Sequence, residues 1–244
     1  GAATIVNDAG LNFTTSTVTG ALSATATTGD ITDSGNLTIT GAATFITGVD
    51  ESNIVLDSSG NAFSSSVEMR ADAGGEDFGN ITFVDSAGID FATSAGSNGD
   101  LYINSSTDGT VGGNLSVTAT TGNITDTVAV VTTGSSTSSF TTSATNGTIT
   151  LNTPASLAGA VTLSTTGASG NATIDNGTTA LNIAASSIGG NLTVTSGNVS
   201  GITDSGTVTV AGNLVATTDA NSGVIDLGQL AVTGTMDLTT DGSG

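Results

Sequence analysis

The chain has 244 residues, among them 21 acidic side chains and a single cation, so its formal net charge is −20. This charge repels the phosphates of nucleic acids and of anionic lipids, and no apolar run approaches the roughly 20 residues of a membrane helix; we therefore expect neither nucleic-acid binding nor membrane insertion. Histidine and cysteine are absent, which excludes Ser-His-Asp and Cys-His catalytic groups and the usual zinc sites.

Alternation of apolar and polar residues starts at Ala3-Thr4-Ile5-Val6 and recurs along the chain, for example at 115–118, 192–195 and 207–210. Gly, Asn, Asp or Ser bounds each of these runs. Such short alternating runs between turn residues predict β-strands. Helix is nearly excluded, because Thr, Ser and Gly dominate and Glu, Lys, Gln and Arg are almost missing.

A second recurring feature is the dipeptide Gly-Asn, in most cases followed by an apolar residue and then Thr, Ser or Val. It occurs nine times, with its asparagine at Asn36, Asn61, Asn80, Asn114, Asn123, Asn171, Asn191, Asn198 and Asn213. We interpret the unit as a turn followed by a strand whose first side chain points inward and whose second points outward.

Longer phrases also return: ITD occurs within 31–35, 124–126 and 202–206, and ATIVNDAGLNF (3–13) is echoed by ATIDNGTTALNI (172–183). The absence of Trp and the uneven spacing argue against propellers and immunoglobulin-like sandwiches. The repetition predicts an all-β fold, a right-handed parallel β-helix (β-solenoid) with rungs of about 20 residues. We expect residues 1–244 to form one continuous solenoid segment, part of a longer chain or of a stacked filament.

The densest charged segment runs from Glu68 to Asp77. Its carboxylates Glu68, Asp72, Glu76 and Asp77 are the candidate ligands for Ca²⁺, the one cofactor that the sequence leaves open. The alternative is a solvated loop whose carboxylates pair with Arg70. No catalytic residues are assigned.

The composition and the motif spacing disfavour two other activities. Acidic-sugar chemistry needs cationic groups, and Arg70 is the only cation, so we expect no enzyme. Thr-x-Thr recurs along the chain, for example at 38–40, 148–150 and 193–195, and regular threonine arrays on flat solenoids are found in some ice-binding proteins. The intervals between these motifs are uneven, which disfavours a lattice of hydroxyls.

The phrases GNLSVTATTGNITDT, GNLTVTSGN and ITDSGTVTVAGNL resemble the repeat regions of filamentous-haemagglutinin-type adhesins and of giant "β-strand repeat" surface proteins of Gram-negative bacteria. The resemblance covers essentially the whole chain. It implies a secreted protein at the bacterial cell surface, with a role in adhesion, matrix building or filament formation.

We therefore expect a non-enzymatic structural segment of a secreted bacterial surface fibre or adhesin shaft. Its expected partners are neighbouring copies or flanking rungs end to end, together with glycans of a host surface or matrix. The alternatives are a module that binds a glycan or Ca²⁺ through a side loop and, less favoured, a carbohydrate-active enzyme or an ice-binding protein.

Overall fold

A computed structural model describes residues 1–49, 51–71, 79–92, 100–103, 110–219 and 222–241, with the backbone alone at 100–103, 110 and 111. These residues form strands and turns, with no helix, and their paired strands run parallel. They form a β-solenoid of about ten turns, about 22 residues apart, which confirms the predicted fold class. No helix in this described part is long and apolar enough to cross a membrane.

Most turns of the solenoid use three kinds of strand in a fixed order. A long strand of four to eight residues comes first, a short strand of two or three residues follows, and a corner strand of two or three residues completes the turn. The chain divides into two compact units, 1–120 and 121–244.

Unit 1 (1–120) contains fifteen strands in its described residues. The long strands are β1 (Ala3–Asn7), β4 (Leu22–Ala26), β7 (Ala43–Thr47), β10 (Val67–Arg70), β11 (Ile81–Asp85) and β15 (Leu115–Ala119). The short strands are β2 (Leu11–Phe13), β5 (Ile31–Asp33), β8 (Ile54–Leu56) and β12 (Ile89–Phe91). The corner strands are β3 (Ser16–Val18), β6 (Leu37–Ile39), β9 (Ala62–Phe63) and β14 (Thr110–Val111). An additional strand, β13 (Asp100–Ile103), stands outside this order.

Unit 2 (121–244) has the same three kinds of strand. The long strands are β18 (Ser138–Thr145), β21 (Ala160–Thr166), β22 (Ala172–Asp175), β25 (Leu192–Ser196), β28 (Leu214–Thr218) and β31 (Met236–Thr240). The short strands are β16 (Ile124–Asp126), β19 (Ile149–Leu151), β23 (Leu181–Ile183), β26 (Ile202–Asp204) and β29 (Ile225–Asp226). The corner strands are β17 (Val131–Thr132), β20 (Ser156–Leu157), β24 (Ser186–Ile188), β27 (Val208–Val210) and β30 (Leu230–Val232).

The strands fall into three blocks with the same internal order. Block 1 is β1–β10, block 2 is β11–β21 and block 3 is β22–β31; each repeats long, short and corner three times and closes with a long strand. Block 2 carries β13 as an insertion, which lies between β10 and β12 in the sheet. The strand order therefore repeats at two levels: within a block from one turn to the next, and along the chain from one block to the next.

The long strands change sheet where one block ends and the next begins. In unit 1, β1, β4, β7 and β10 share one main sheet, while β11 and β15 lie in the other main sheet with β2, β5 and β8. In unit 2, β18 and β21 lie in one main sheet and β22, β25, β28 and β31 in the other. A block has four long and three short strands, and successive ones alternate between the two main sheets. Because seven is odd, the next block starts on the opposite sheet.

The core is a bore filled by every second side chain of the strands. Leu22, Ala24 and Ala26 of β4 are buried, and so are the matching positions of the other internal long strands. In unit 1, three phenylalanine rings from β2, β7 and β9 meet inside the bore. The centroids of Phe13 and Phe45 lie 6.2 Å apart, and those of Phe45 and Phe63 are separated by the same distance. Aliphatic and aromatic burial in stacked layers supplies the apolar stabilisation of such a repeat fold.

The inward–outward prediction for the Gly-Asn unit is confirmed at seven of its nine positions. It is wrong at Asn61, which is itself buried while Ala62 is only half-buried. It is also wrong at Asn198, where Val199 lies exposed in a turn instead of starting a strand. At both sites the dipeptide lies at a corner or bend of the chain, and the adjacent coils of the solenoid determine the geometry there.

Candidate functional site

Of the four predicted calcium ligands, only Glu68 lies in the described residues. Asp72, Glu76 and Asp77 lie outside the described residues. Glu68 faces outward on β10, where its Oε1 accepts a hydrogen bond of 2.8 Å from Nε of Arg70 and its Oε2 accepts one of 3.5 Å from Oγ1 of Thr44. In the described ranges, no three acidic, His or Cys side chains come together as a metal-binding group.

The aspartates of the repeated ITD phrase all cap backbone N–H groups of the following turn. Each carboxylate accepts hydrogen bonds from two consecutive backbone N–H groups in the following turn, at distances between 2.7 and 3.4 Å. The donors are Asp57 and Ser58 for Asp33, Asn152 and Thr153 for Asp126, and Gly228 and Gln229 for Asp204. A bend leaves N–H groups outside the sheet ladder, and a carboxylate accepts them strongly. The phrase returns because these turns need a cap.

Asparagines at the start of strands form vertical ladders. In unit 2, Oδ1 of Asn171 accepts a hydrogen bond from the backbone N–H of Asn191 at 2.8 Å. In the same way, Oδ1 of Asn191 accepts the N–H of Asn213 at 2.8 Å, and Oδ1 of Asn213 accepts the N–H of Thr235 at 2.9 Å. In unit 1, an equivalent ladder contains Asp30, Asn53, Asn80 and Asn114. The amide thus links one turn to the next at the same corner.

The structure shows why a glycine precedes the ladder asparagine, which the sequence alone did not. Gly212 does not adopt a left-handed φ. A Cβ there would clash with Oδ1 of Asn191 and with the backbone of Gly190 in the turn below. Glycine is therefore needed at this position for the close approach of two turns rather than for backbone freedom.

Buried threonines close the loop between long and short strands. Thr47, Thr142 and Thr218 each donate their hydroxyl to the carbonyl five residues later, at 3.3, 3.1 and 3.3 Å. Thr165 makes the same bond to Gly170 in the loop between the two long strands β21 and β22. The hydroxyl replaces a backbone partner at a point where the chain leaves the sheet.

Asp85 is an acidic residue inside the bore that sequence reasoning missed. It ends β11 and is 1% exposed, and its Oδ1 accepts N–H bonds from Phe63 at 3.2 Å and from Ala87 at 3.3 Å. Desolvation raises the pKa of its carboxyl to about 6, against the opposing effect of these backbone N–H bonds. The alternation itself carries the signal, since Ile81 and Phe83 place Asp85 on the inward side.

Outward threonines of unit 2 do stack, although the intervals between their motifs are uneven. Thr125, Thr150, Thr173 and Thr193 are in register on four adjacent strands. Val215 and Asp237 continue the same column, so it loses its hydroxyls on the last two strands. Loops absorb the differences in length, which keeps the strands aligned.

Two faces of the described solenoid expose inward-type side chains. The C-terminal face consists of β29, β30 and β31, and the N-terminal face consists of β1, β2 and β3. Met236 and Leu238 of β31 stand directly over the buried Leu214 and Ala216 of β28, yet they are 58% and 51% exposed. β1 and β31 each have a paired strand on one side only.

A family model described as repeats of unknown function (DUF5649) matches residues 1–70 and 169–222, just over half of the chain. The chain belongs to the DUF5649 repeats. No curated protein and no solved structure matches it. The first DUF5649 match coincides with block 1, and the second covers most of block 3. Block 2 lies between the two DUF5649 matches and has the same order of strands.

Proposed function

We propose that the chain is a non-enzymatic structural segment of a secreted bacterial surface fibre or adhesin shaft. The observation that carries the proposal is the use of the repeated polar residues. The ITD aspartates, the ladder asparagines and the inward threonines all bond to backbone groups of the turn that follows or of the adjoining loop. The repeated motifs therefore maintain the stacking of turns, which is the property that a shaft needs.

The surface chemistry supports the same role. A chain of net charge −20 keeps neighbouring copies apart along their sides at low ionic strength, and salt or divalent cations weaken this repulsion. The resemblance to filamentous-haemagglutinin-type and β-strand-repeat surface proteins supplies the proposed location, outside the cell and at its surface. Glycans of a matrix or host surface are the proposed contacts of the exposed loops.

The proposal is tested by display of the chain on a bacterium that lacks surface fibres. One strain carries residues 1–244 once and a second carries two copies in tandem, both on the same anchor. We expect the protein layer seen by electron microscopy to thicken with the second copy, and retention of cells on a glycan-coated surface to increase. The control strain displays the anchor alone.

A layer of equal thickness for one and two copies would contradict a shaft. Release of reducing sugar from a panel of acidic polysaccharides by the purified chain would contradict the non-enzymatic role. Both measurements use the whole chain.

A further inference from the structure

We propose that the proton on Asp85 controls a local opening of unit 1. The protonated side chain remains in the bore and keeps the corner at 85–88 closed. Loss of the proton favours an open state, in which the carboxylate reaches water and one edge of strand β9 loses its cover. This pH-sensitive switch is a property of the fold and does not depend on the proposed function.

Asp85 occupies a position that carries no ionisable group in the other internal turns of unit 1. It is the fifth residue of the long strand β11. Its counterparts on β4, β7 and β15 are Ala26, Thr47 and Ala119, and none of the three has any exposed surface. Asp85 and Ala119 are in register on paired strands, so the carboxyl lies in the bore where a methyl group lies one turn later.

The side chain of Asp85 takes the place of a strand beside β9. Within the described residues, β9 is paired on one side only, with β6. On its other side, Oδ1 of Asp85 accepts the backbone N–H of Phe63 at 3.2 Å. The backbone N–H of Ser86 donates to the carbonyl of Asn61 at 2.7 Å. Together these groups supply an acceptor and a donor, as a paired strand would.

The path from the bore to water at this corner is short. Ala87 is exposed, and its N–H donates to Oδ1 of Asp85 at 3.3 Å. Only residues 86–88 connect β11 to β12. A rotation of 85–88 that breaks the bonds from Phe63 and Ser86 brings the carboxylate to solvent, while the rest of β11 stays paired with β15. The opening is therefore local.

The other charged groups around this corner are acidic. Of the described strands packed against Asp85, β8, β9 and β15 carry no titratable side chain. Asp90 lies at the outward position of β12, Asp57 directly follows β8, and Asp33 caps the turn after β8. Carboxylates near a buried carboxyl favour its protonated form, as desolvation does.

The closed and the open corner bind the proton with different strength. Desolvation raises the pKa of the buried Asp85 carboxyl to about 6, although backbone N–H bonds oppose this effect, whereas the ordinary value is 3.8. The closed state therefore has its full advantage below pH 3.8 and loses it as the pH rises through about 6. This difference in pKa corresponds to a change of about a hundredfold in the opening equilibrium.

Amide hydrogen exchange of the whole 1–244 chain, followed by NMR from pH 4 to pH 8 and corrected for intrinsic exchange rates, measures the opening. For the N–H groups of Phe63 and Ser86, we expect the opening constant to rise by the part of the change that falls in this range, on the order of fiftyfold. The matched reference is the N–H of Gly48, which follows Thr47 as Ser86 follows Asp85 and donates to the carbonyl of Ala26. Its opening constant should change much less.

Two matched variants assign the effect to one carboxyl. Asp85→Asn keeps the size of the side chain and cannot ionise, so the opening constant at Phe63 should become nearly independent of pH. The control Asp57→Asn removes an exposed carboxylate of the same region and should keep the pH dependence of the parent chain.

Three results of the exchange experiment would overturn the switch: no pH dependence at Phe63 and Ser86, an equal dependence at Gly48, or a dependence that persists in Asp85→Asn. An NMR titration of the Asp85 carboxyl in the parent chain tests the same assignment without a substitution. A midpoint near 6 supports the switch, and a midpoint near the ordinary value of 3.8 overturns it.

Discussion

At the scale of single residues, the molecule uses its acidic side chains in two opposite ways. Asp33, Asp126 and Asp204 lie at bends and accept backbone N–H groups of the next turn. Asp85 lies in the bore, where desolvation outweighs its N–H bonds. The first group stabilises the stack as carboxylates, whereas the charge on Asp85 costs stability.

The variant Asp85→Asn should be more stable than the parent chain at pH 8 and nearly equal to it at pH 4. The folded pKa of Asp85, about 6, lies above the ordinary value of 3.8 for an aspartate carboxyl. The folded state therefore binds the proton more tightly, and the stabilisation due to that proton is full below pH 3.8 and disappears as the pH rises through about 6. A shift of two pKa units predicts that the unfolding free energy of Asp85→Asn exceeds that of the parent chain by up to about 3 kcal/mol at pH 8. Urea unfolding at pH 4 and pH 8 measures this difference. A difference of equal size at both pH values would contradict a cause in the ionisation of Asp85.

Removal of an ITD carboxylate should cost more at Asp33 than at Asp204. Oδ2 of Asp33 also accepts a bond of 2.6 Å from Nδ2 of Asn61, a residue with no exposed surface. Asp33→Ala leaves that buried amide short of a partner and should cost about 2–3 kcal/mol, whereas Asp204→Ala opens turn N–H groups to water and should cost about 1 kcal/mol. Denaturant unfolding compares the two matched variants. A larger cost at Asp204 would contradict this account.

At the scale of elements, alternation decides which side chains enter the bore and the count of strands decides which sheet they join. One full turn contributes two main-sheet strands, so its removal keeps every later strand on its sheet. Half a turn contributes one strand, so its removal transfers all later long strands to the other sheet. The fold should tolerate the first change and not the second.

Deletion of residues 192–213 removes one turn, because Leu192 is in register with Leu214. It joins Asn191 to Leu214 and restores the Gly-Asn-Leu sequence, so we expect a cooperative fold with a melting temperature within a few degrees of the parent. Deletion of 192–201 joins Asn191 to Ile202 and places a short strand where a long one belongs. That variant should lose cooperative melting, as followed by circular dichroism. Equal stability of both deletions would contradict the rule of alternating sheets.

At the scale of the whole molecule, charge is the dominant long-range term. A formal charge of −20 repels itself in the folded state, and counterions reduce this repulsion. The acidic segment 68–77 is also the predicted site for specific Ca²⁺ binding. General screening of the net charge and specific Ca²⁺ binding can be distinguished by comparing NaCl and CaCl₂ at equal ionic strength.

We expect the melting temperature to rise by several degrees between low salt and about 0.5 M NaCl, where the Debye length falls below ~5 Å. CaCl₂ at millimolar concentration and matched ionic strength should give the same shift as NaCl, because both carboxylate oxygens of Glu68 already accept hydrogen bonds. A specific site would instead add a shift that grows with the logarithm of Ca²⁺ concentration. Such an extra shift, lost in Glu68→Gln, would establish the calcium site.

The sequence alone determined the strands, the inward and outward sides and the solenoid, because alternation and turn chemistry depend on residues adjacent along the chain. It placed Leu37, Leu115 and Leu192 correctly in the bore through the preceding Gly-Asn. It misplaced Ala62 and Val199, and it did not find the buried charge of Asp85.

Only the tertiary structure decided which residue stands above which. The pairing of Asp33 with Asp57 and Ser58, the clash that requires Gly212 and the change of sheet between β10 and β11 all follow from loop lengths and from the odd number of main-sheet strands in a block. These contacts join residues about one turn apart, and stacking selects them only after the turns have formed. Local patterns carry no information about that choice, because the same Gly-Asn or ITD sequence occurs on either sheet.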